Sequence, residues 1–153
     1  MFREMRRKDK MLSNEECMRL LKETEVGVLS VLGDNGYPYT VPLNYVYKEG
    51  AIYFHSAKDG YKIDCIENDN KVSFCLIDHV ELLASSFDTN YESVVVFGKV
   101  YEEIDNKKEA LLLLIEKYSP DYLVKGQKYV EKSHGTTRVF RIDIDHMTGK
   151  AQQ

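Results

Sequence analysis

Gly33-Asp34-Asn35-Gly36, Tyr37-Pro-Tyr-Thr-Val-Pro-Leu-Asn-Tyr-Val-Tyr47, Lys48-Glu49-Gly50 and Ala51-Ile-Tyr-Phe-His-Ser56 decide the fold class of this chain. Turn signals separate runs rich in β-branched and aromatic residues, and the Asn35-Gly36 pair supplies the positive φ that a tight hairpin needs. Just upstream, Val26-Gly-Val-Leu-Ser-Val-Leu32 has the same β-rich character. The expected unit is three consecutive strands, 26–32, 37–47 and 51–56, in an antiparallel meander, which is barrel or sandwich grammar.

Toward the N-terminus, Ser13-Asn14-Glu15-Glu16 reads as a capping box ahead of Cys17, Leu20 and Leu21, so a helix is expected over 14–25. Toward the C-terminus, Lys58-Asp59-Gly60 opens a short helix with Tyr61, Cys65, Ile63 and Ile66 on two faces, closed by Asn68-Asp69-Asn70. Strands are expected over 71–77 and 93–103, the second with the doubly apolar run Val94-Val95-Val96-Phe97, and a polar loop over 78–92 between them. Ala110, Leu111, Leu114, Ile115 and Tyr118 share one face of a helix over 106–118, stopped by Ser119-Pro120, and that stripe reads as core packing. A last strand, 136–145, has one buried face. No βαβ alternation and no GxGxxG after a strand is present, so a dinucleotide-binding Rossmann fold lacks its motif. The expected class is α+β, mainly antiparallel β, built on a barrel.

The 153 residues, 43% hydrophobic and 30% charged, suit one domain over 1–153 with a core of its own. A net charge of −4 argues against a general nucleic-acid binder, which needs clustered cations. The one basic run, Arg3, Arg6, Arg7, Lys8 and Lys10, reads as a solvated, extended arm over 1–11. No apolar stretch follows it to make a leader, and none approaches the roughly 18 residues of a membrane span, so a soluble cytoplasmic protein is expected. Cys17, Cys65 and Cys75 are odd in number and form no CxxC, and read as reduced thiols. The four histidines show no metal-ligand spacing, and Asp143 and Asp145 read as ion-paired neighbours of Arg141.

One constellation points to chemistry. Asn44 and Tyr45 fall on one strand, His55 and Ser56 on its neighbour, and Lys62 at a helix start just beyond. Taken singly, His55 is an ordinary strand histidine and Lys62 an exposed lysine. Together, an ammonium, a hydroxyl and free helix-start amides can converge on one phosphate, each charge-assisted hydrogen bond contributing roughly 1.5–3 kcal/mol.

The pattern G-Y-P-x-x-V-P-L-N-Y, then I-Y-F-H-S-A and G-x-K, resembles the nitroimidazole-resistance branch of the pyridoxamine 5′-phosphate oxidase-like flavoproteins. Further matches are Asn68 to Phe74, Thr89-Asn90-Tyr91-Glu92-Ser93-Val94, Phe97-Gly98, Glu116-Lys117-Tyr118-Ser119-Pro120, Arg141 to His146 and Thr148 to Ala151. The resemblance implies a split β-barrel with peripheral helices and a homodimer holding FMN at the subunit interface, with FAD as the other candidate. It implies phosphate and ribitol contacts from His55, Ser56, Ala57 and Lys62, and a flavin-lining strand at Pro42, Leu43, Asn44 and Tyr45. Thr89, Asn90, Tyr91 and Ser93 would come from the partner subunit. Thr40, Tyr45 and Tyr61 stand where the oxidases themselves carry basic residues, and there is no Trp, so pyridoxamine phosphate oxidation is not implied.

The function expected is a flavin-dependent oxidoreductase passing electrons to a small electron-poor acceptor such as a nitroimidazole, with His55 as the catalytic proton donor and NAD(P)H a transient electron source. The alternatives are a flavin carrier or sensor without turnover, and a haem-handling protein with His55 or His79 on the iron.

Overall fold

The computed structural model describes residues 1–153. In chain order, α1 is Asn14–Glu23, β1 Gly27–Leu32, β2 Pro38–Leu43, β3 Val46–Lys48, β4 Ala51–Ser56, α2 Tyr61–Asn68, β5 Lys71–Leu83, β6 Asp88–Glu102, α3 Lys107–Tyr118, α4 Leu123–Ser133 and β7 Arg138–Gln152. All seven strands join one antiparallel sheet in the order β2-β1-β5-β6-β7-β4-β3.

The two edge strands, β2 and β3, are consecutive in the chain and joined only by Asn44 and Tyr45. In a flat sheet with strands about 4.8 Å apart, its edges would stand roughly 29 Å from each other, whereas the link from Leu43 to Val46 reaches at most about 11 Å. The sheet therefore curls on itself into a split β-barrel with peripheral helices. The expected meander is corrected at this point: 37–47 is two strands on opposite edges, and the chain crosses the split at Asn44–Tyr45.

Strand alternation fills the barrel with Leu29, Val31, Ile52, Phe54, Phe74, Leu76, Val94, Val96, Phe140 and Ile142, all buried. α1 packs Cys17, Leu20 and Leu21 against them, one face of a helix whose capping box is formed: Glu16 N donates to Ser13 Oγ at 3.2 Å, and Ser13 N to Glu16 Oε2 at 2.8 Å. It stops at Glu23 because Thr24 turns extended and donates its buried hydroxyl to Asp78 at 2.9 Å. α2 adds Ile63, Cys65 and Ile66 to the same core. A second cluster forms where α3 covers β3, β4 and β7 and α4 packs on α3: Val46, Ala110, Leu111, Leu114, Val130 and Val139.

Three further expectations are corrected. Residues 78–92 are not a loop: β5 and β6 continue as a hairpin arm paired through Leu83 and Asp88 and closed by a 3-10 turn at Ala84–Ser86. A ladder needs only backbone groups, so polar side chains are tolerated where both faces meet water. β7 likewise runs on to Gln152, opposite Tyr91. Residues 1–7 form no helix or strand and most of 1–11 is exposed, with the stretch tied to the barrel at a few points: Phe2 stacks on His146 at 4.7 Å and Phe97 at 5.4 Å, Lys8–Lys10 form a 3-10 turn, and Leu12 N donates to Gly149 O at 2.9 Å.

The third correction is α4, which the sequence reading did not contain. Gly126 disfavours a helix by propensity, yet it is buried at the α3 contact, where an added Cβ would lie 2.3 Å from Ile115 Cγ2. A glycine-to-alanine change within a helix ordinarily gains up to about 1 kcal/mol. Here overpacking against a β-branched side chain costs about 1–3 kcal/mol and outweighs that gain. Gly126→Ala is expected to lower the urea midpoint; a raised midpoint would show that α3 and α4 are not in this contact.

Candidate functional site

The end of β4 and the start of α2 bring His55, Ser56, Ala57 and Lys62 to one wall of a cavity of about 620 Å³. The opposite wall is Leu111, Leu114 and Ile115 of α3 with Val130 of α4, rimmed by Tyr129, Ser133, Thr136 and Thr137. A polar, cationic end thus faces an apolar one, in a volume usual for a small-molecule site.

Local backbone explains the polar end. Gly60 has φ 155°, a conformation that a side chain would strain, and no side chain caps the helix that starts after it. The first α2 amides are left for another acceptor. Lys62 in that first turn is half-buried, takes part in no salt bridge or hydrogen bond, and has its Nζ 5.7 Å from the Phe54 ring centre. Desolvation holds its ammonium below the usual lysine pKa. His55 is open to solvent on one side, but desolvation by the cavity walls, then the Lys62 charge, pull its imidazole below the usual value of 6.5. It is therefore mainly neutral at pH 7. An unpaired cation beside a hydroxyl and free amides is an arrangement that takes a phosphate or carboxylate.

The other residues singled out in the sequence stand elsewhere. Pro42 is exposed and Leu43 half-buried on the edge strand β2. Asn44 Nδ2 donates to Glu25 O at 3.1 Å. Tyr45 is 0% exposed, its ring edge-on to Phe74 at 4.8 Å, and contributes no surface to the cavity. Around this crossing, Tyr45 N donates to Tyr118 Oη at 2.9 Å, and Lys117 Nζ donates to Thr24 O at 2.7 Å and Tyr45 O at 3.0 Å. The motifs at 44–45 and 116–120 thus meet as a structural knot that closes the barrel.

Thr89, Asn90, Tyr91 and Ser93 lie on the outer half of β6, half-buried and away from this cavity within one chain. His79 Nδ1 pairs with Glu92 at 3.1 Å. Asp143 accepts from Arg141 Nε at 2.7 Å, and Asp145 pairs with Lys99 at 3.6 Å. Cys17 and Cys65 are buried, and all three thiols are free. No helix is long and apolar enough to cross a membrane.

Two sets of residues at this site escaped the sequence reading. The α3 stripe does pack the core, but Leu111, Leu114 and Ile115 at its edge also wall the cavity. Arg138, which opens β7 opposite Ser56, reaches the loop before α2.

Comparison with known proteins agrees with this architecture. The structure is similar to a proposed 5-nitroimidazole antibiotic resistance protein from Bacteroides thetaiotaomicron, at TM-score 0.77 and 23% identity over 94% of this chain and 90% of that one. It is similar to a FAD-binding protein from Mesorhizobium loti, at TM-score 0.67 and 27% identity over 94% and 98% of the two chains. A FAD and haem binding protein from Mycobacterium smegmatis shares the fold at TM-score 0.83 and 16% identity, over 94% and 74%. No curated protein matches significantly. The family model described as pyridoxamine 5′-phosphate oxidase matches residues 13–151, which takes in every strand and helix but the first 3-10 turn and the last residue of β7, and on that match this chain belongs to the pyridoxamine 5′-phosphate oxidase family.

Proposed function

We propose that this protein binds a flavin, FMN, between two copies of itself and works as an oxidoreductase on small electron-poor acceptors of the nitroimidazole class, as a member of the nitroimidazole-resistance branch of its family. The observation that carries the reading is Lys62, a half-buried ammonium with no anionic side chain to pair with, beside Ser56 and the uncapped start of α2 at a cavity of about 620 Å³. Support comes from family membership and from the FAD-binding and nitroimidazole-resistance descriptions of two similar structures.

In this reading Lys62, Ser56 and the first α2 amides hold the phosphate that FMN and FAD share, and the bound flavin supplies the electron transfer. The apolar wall of Leu111, Leu114, Ile115 and Val130 excludes water. His55, with a neutral imidazole, hydrogen-bonds the acceptor or hands on a proton there. A second copy is favoured by the hairpin arm, where Ile77, Val80, Leu82 and Phe87 are exposed, Phe87 by 97%. Such an apolar row is covered in most stable proteins, and a two-fold partner would bring Thr89, Asn90, Tyr91 and Ser93 to the other subunit's site.

A haem-binding reading is kept alive by one observation, the open imidazole of His55 in a fold shared with the FAD and haem binding protein. Absorbance separates the two: flavin bands against a Soret band. Mass spectrometry of the released ligand separates FMN from FAD. Anaerobic NAD(P)H oxidation that quickens when a nitroimidazole is added distinguishes an enzyme from a flavin carrier. His55→Ala is expected to keep its flavin and lose about tenfold or more in turnover; turnover unchanged removes His55 from the chemistry. A colourless protein that takes up no FMN offered in excess overturns the proposal.

A further inference from the structure

The turn from β4 into α2, Ala57 to Gly60, has little to hold it. No backbone hydrogen bond from elsewhere reaches Ala57, Lys58 or Asp59. Their one partner is Arg138, whose Nη1 donates to the Lys58 carbonyl oxygen at 3.0 Å. The rest of the guanidinium is spent on two carboxylates: Nη2 donates to Glu102 at 2.7 Å and to Glu67 at 3.1 Å, and Nε to Glu102 at 3.2 Å. Glu67 sits in the last turn of α2 and Glu102 ends β6. One side chain on β7 therefore grips the loop before α2 and the far end of α2 itself, and ties both to the barrel wall.

The charges say what this clamp does. Arg138 is met by two carboxylates, so it has no charge to spare for an anion, whereas Lys62, on the element it clamps, has no counter-charge at all. The phosphate grip needs Lys62 and the α2 amides held against Ser56, and Ser56 pairs directly with Arg138 in the β4–β7 ladder. We propose that Arg138 is a positioning residue for the anion grip: through the Lys58 carbonyl and Glu67 it sets the start of α2, and with it Lys62, at the place where Ser56 can share one phosphate. A planar fork that serves three acceptors in different directions is needed, and a lysine ammonium cannot reproduce it.

The inference rests on the flavin reading above, and the test keeps the two apart. The full chain is titrated with FMN and with riboflavin, which lacks the phosphate, as wild type, Arg138→Gln and Arg138→Lys. Both variants are expected to bind FMN about tenfold or more weakly, with riboflavin affinity within about twofold of wild type. Where riboflavin binds too weakly to follow, the contrast is read in the Lys62→Ala background. There, loss of Arg138 should cost FMN little more, because it acts through the missing ammonium. Unchanged FMN affinity overturns the clamp, as does an equal loss for both ligands or full additivity with Lys62→Ala. If neither Arg138 variant folds by circular dichroism, Glu67→Ala removes one arm, the largely exposed acceptor of Arg138 Nη2; it should weaken FMN about threefold, and no change overturns the proposal. Wild type that binds neither flavin sinks the flavin reading, and the clamp with it; wild type that binds FMN beside unaffected variants sinks the clamp alone.

Discussion

Lys62→Ala is expected to bind FMN roughly 10- to 100-fold more weakly than wild type, because a charge-assisted hydrogen bond to a phosphate contributes about 1.5–3 kcal/mol and each 1.4 kcal/mol is a decade. Riboflavin affinity should hardly move. The same change should leave the empty protein at least as stable as wild type. Lys62 makes no ion pair or hydrogen bond, and its half-buried ammonium is held below the usual lysine pKa by desolvation, so folding gains nothing from it beyond a long cation–π contact with Phe54. Binding loss without stability loss is the signature of a group kept for a ligand. Parallel FMN and riboflavin titrations with a thermal melt of the ligand-free protein check this. FMN affinity equal to wild type would remove Lys62 from the grip.

Lys117→Met is expected to destabilise the fold by about 2 kcal/mol at pH 7, and the gap to wild type should widen as pH rises from about 8 toward 10. Lys117 donates to Thr24 O and Tyr45 O and lies 3.8 Å from the Tyr45 ring centre. Tyr45 O retains the Tyr118 hydroxyl when Lys117 is lost, but the buried Thr24 carbonyl loses its one partner, a cost of about 1–3 kcal/mol. Relief of a desolvated charge offsets part of it. The pH dependence follows from Lys117 being pushed down to about 8 by desolvation. Between about 8 and the ordinary 10.5 the unfolded chain binds more protons than the native one, so stability rises with pH across that window, and below 8 the cost of the buried charge is fully present. A neutral amine still has two hydrogens for its two carbonyls. Above pH 10 a different effect sets in. Burial raises Tyr45 and Tyr118, so these phenols resist ionisation only when folded, and alkali favours the unfolded chain. Denaturation of wild type and Lys117→Met at pH 7, 8, 9 and 10 tests this; a constant gap would show that Lys117 does not titrate with folding.

Neither substitution could be chosen from the same kind of information. Lys62 was legible because its partners are near in sequence: six residues separate it from Ser56, and Gly60 marks the turn between them. Lys117 was visible only as part of a matching motif. Its partners lie 93 and 72 positions away, and nothing local says that an amphipathic helix will set one lysine over the place where a barrel closes. Arg138 is a harder case. Strand alternation puts it on one face with Phe140, Ile142 and Ile144 and names no partner for it, and its role appears only once Glu67, Glu102 and the Lys58 carbonyl converge on it.

By itself the amino-acid sequence determined the local states: the capping box at Ser13 and Glu16, the Asn35-Gly36 hairpin, the apolar face of residues 107–118, the turn at Gly60, and the family to which these belong. Each depends on contacts within a few residues, where backbone preference and side-chain period act directly. The three-dimensional fold alone decided that 37–47 divides between opposite sheet edges, that 78–92 extends as a paired arm, that Phe2 lies against His146, and that a glycine-bearing helix roofs the cavity. Those outcomes are settled by which distant surfaces find one another. Pairing and packing energies that outweigh local propensity arise between segments whose meeting no stretch of the chain encodes alone.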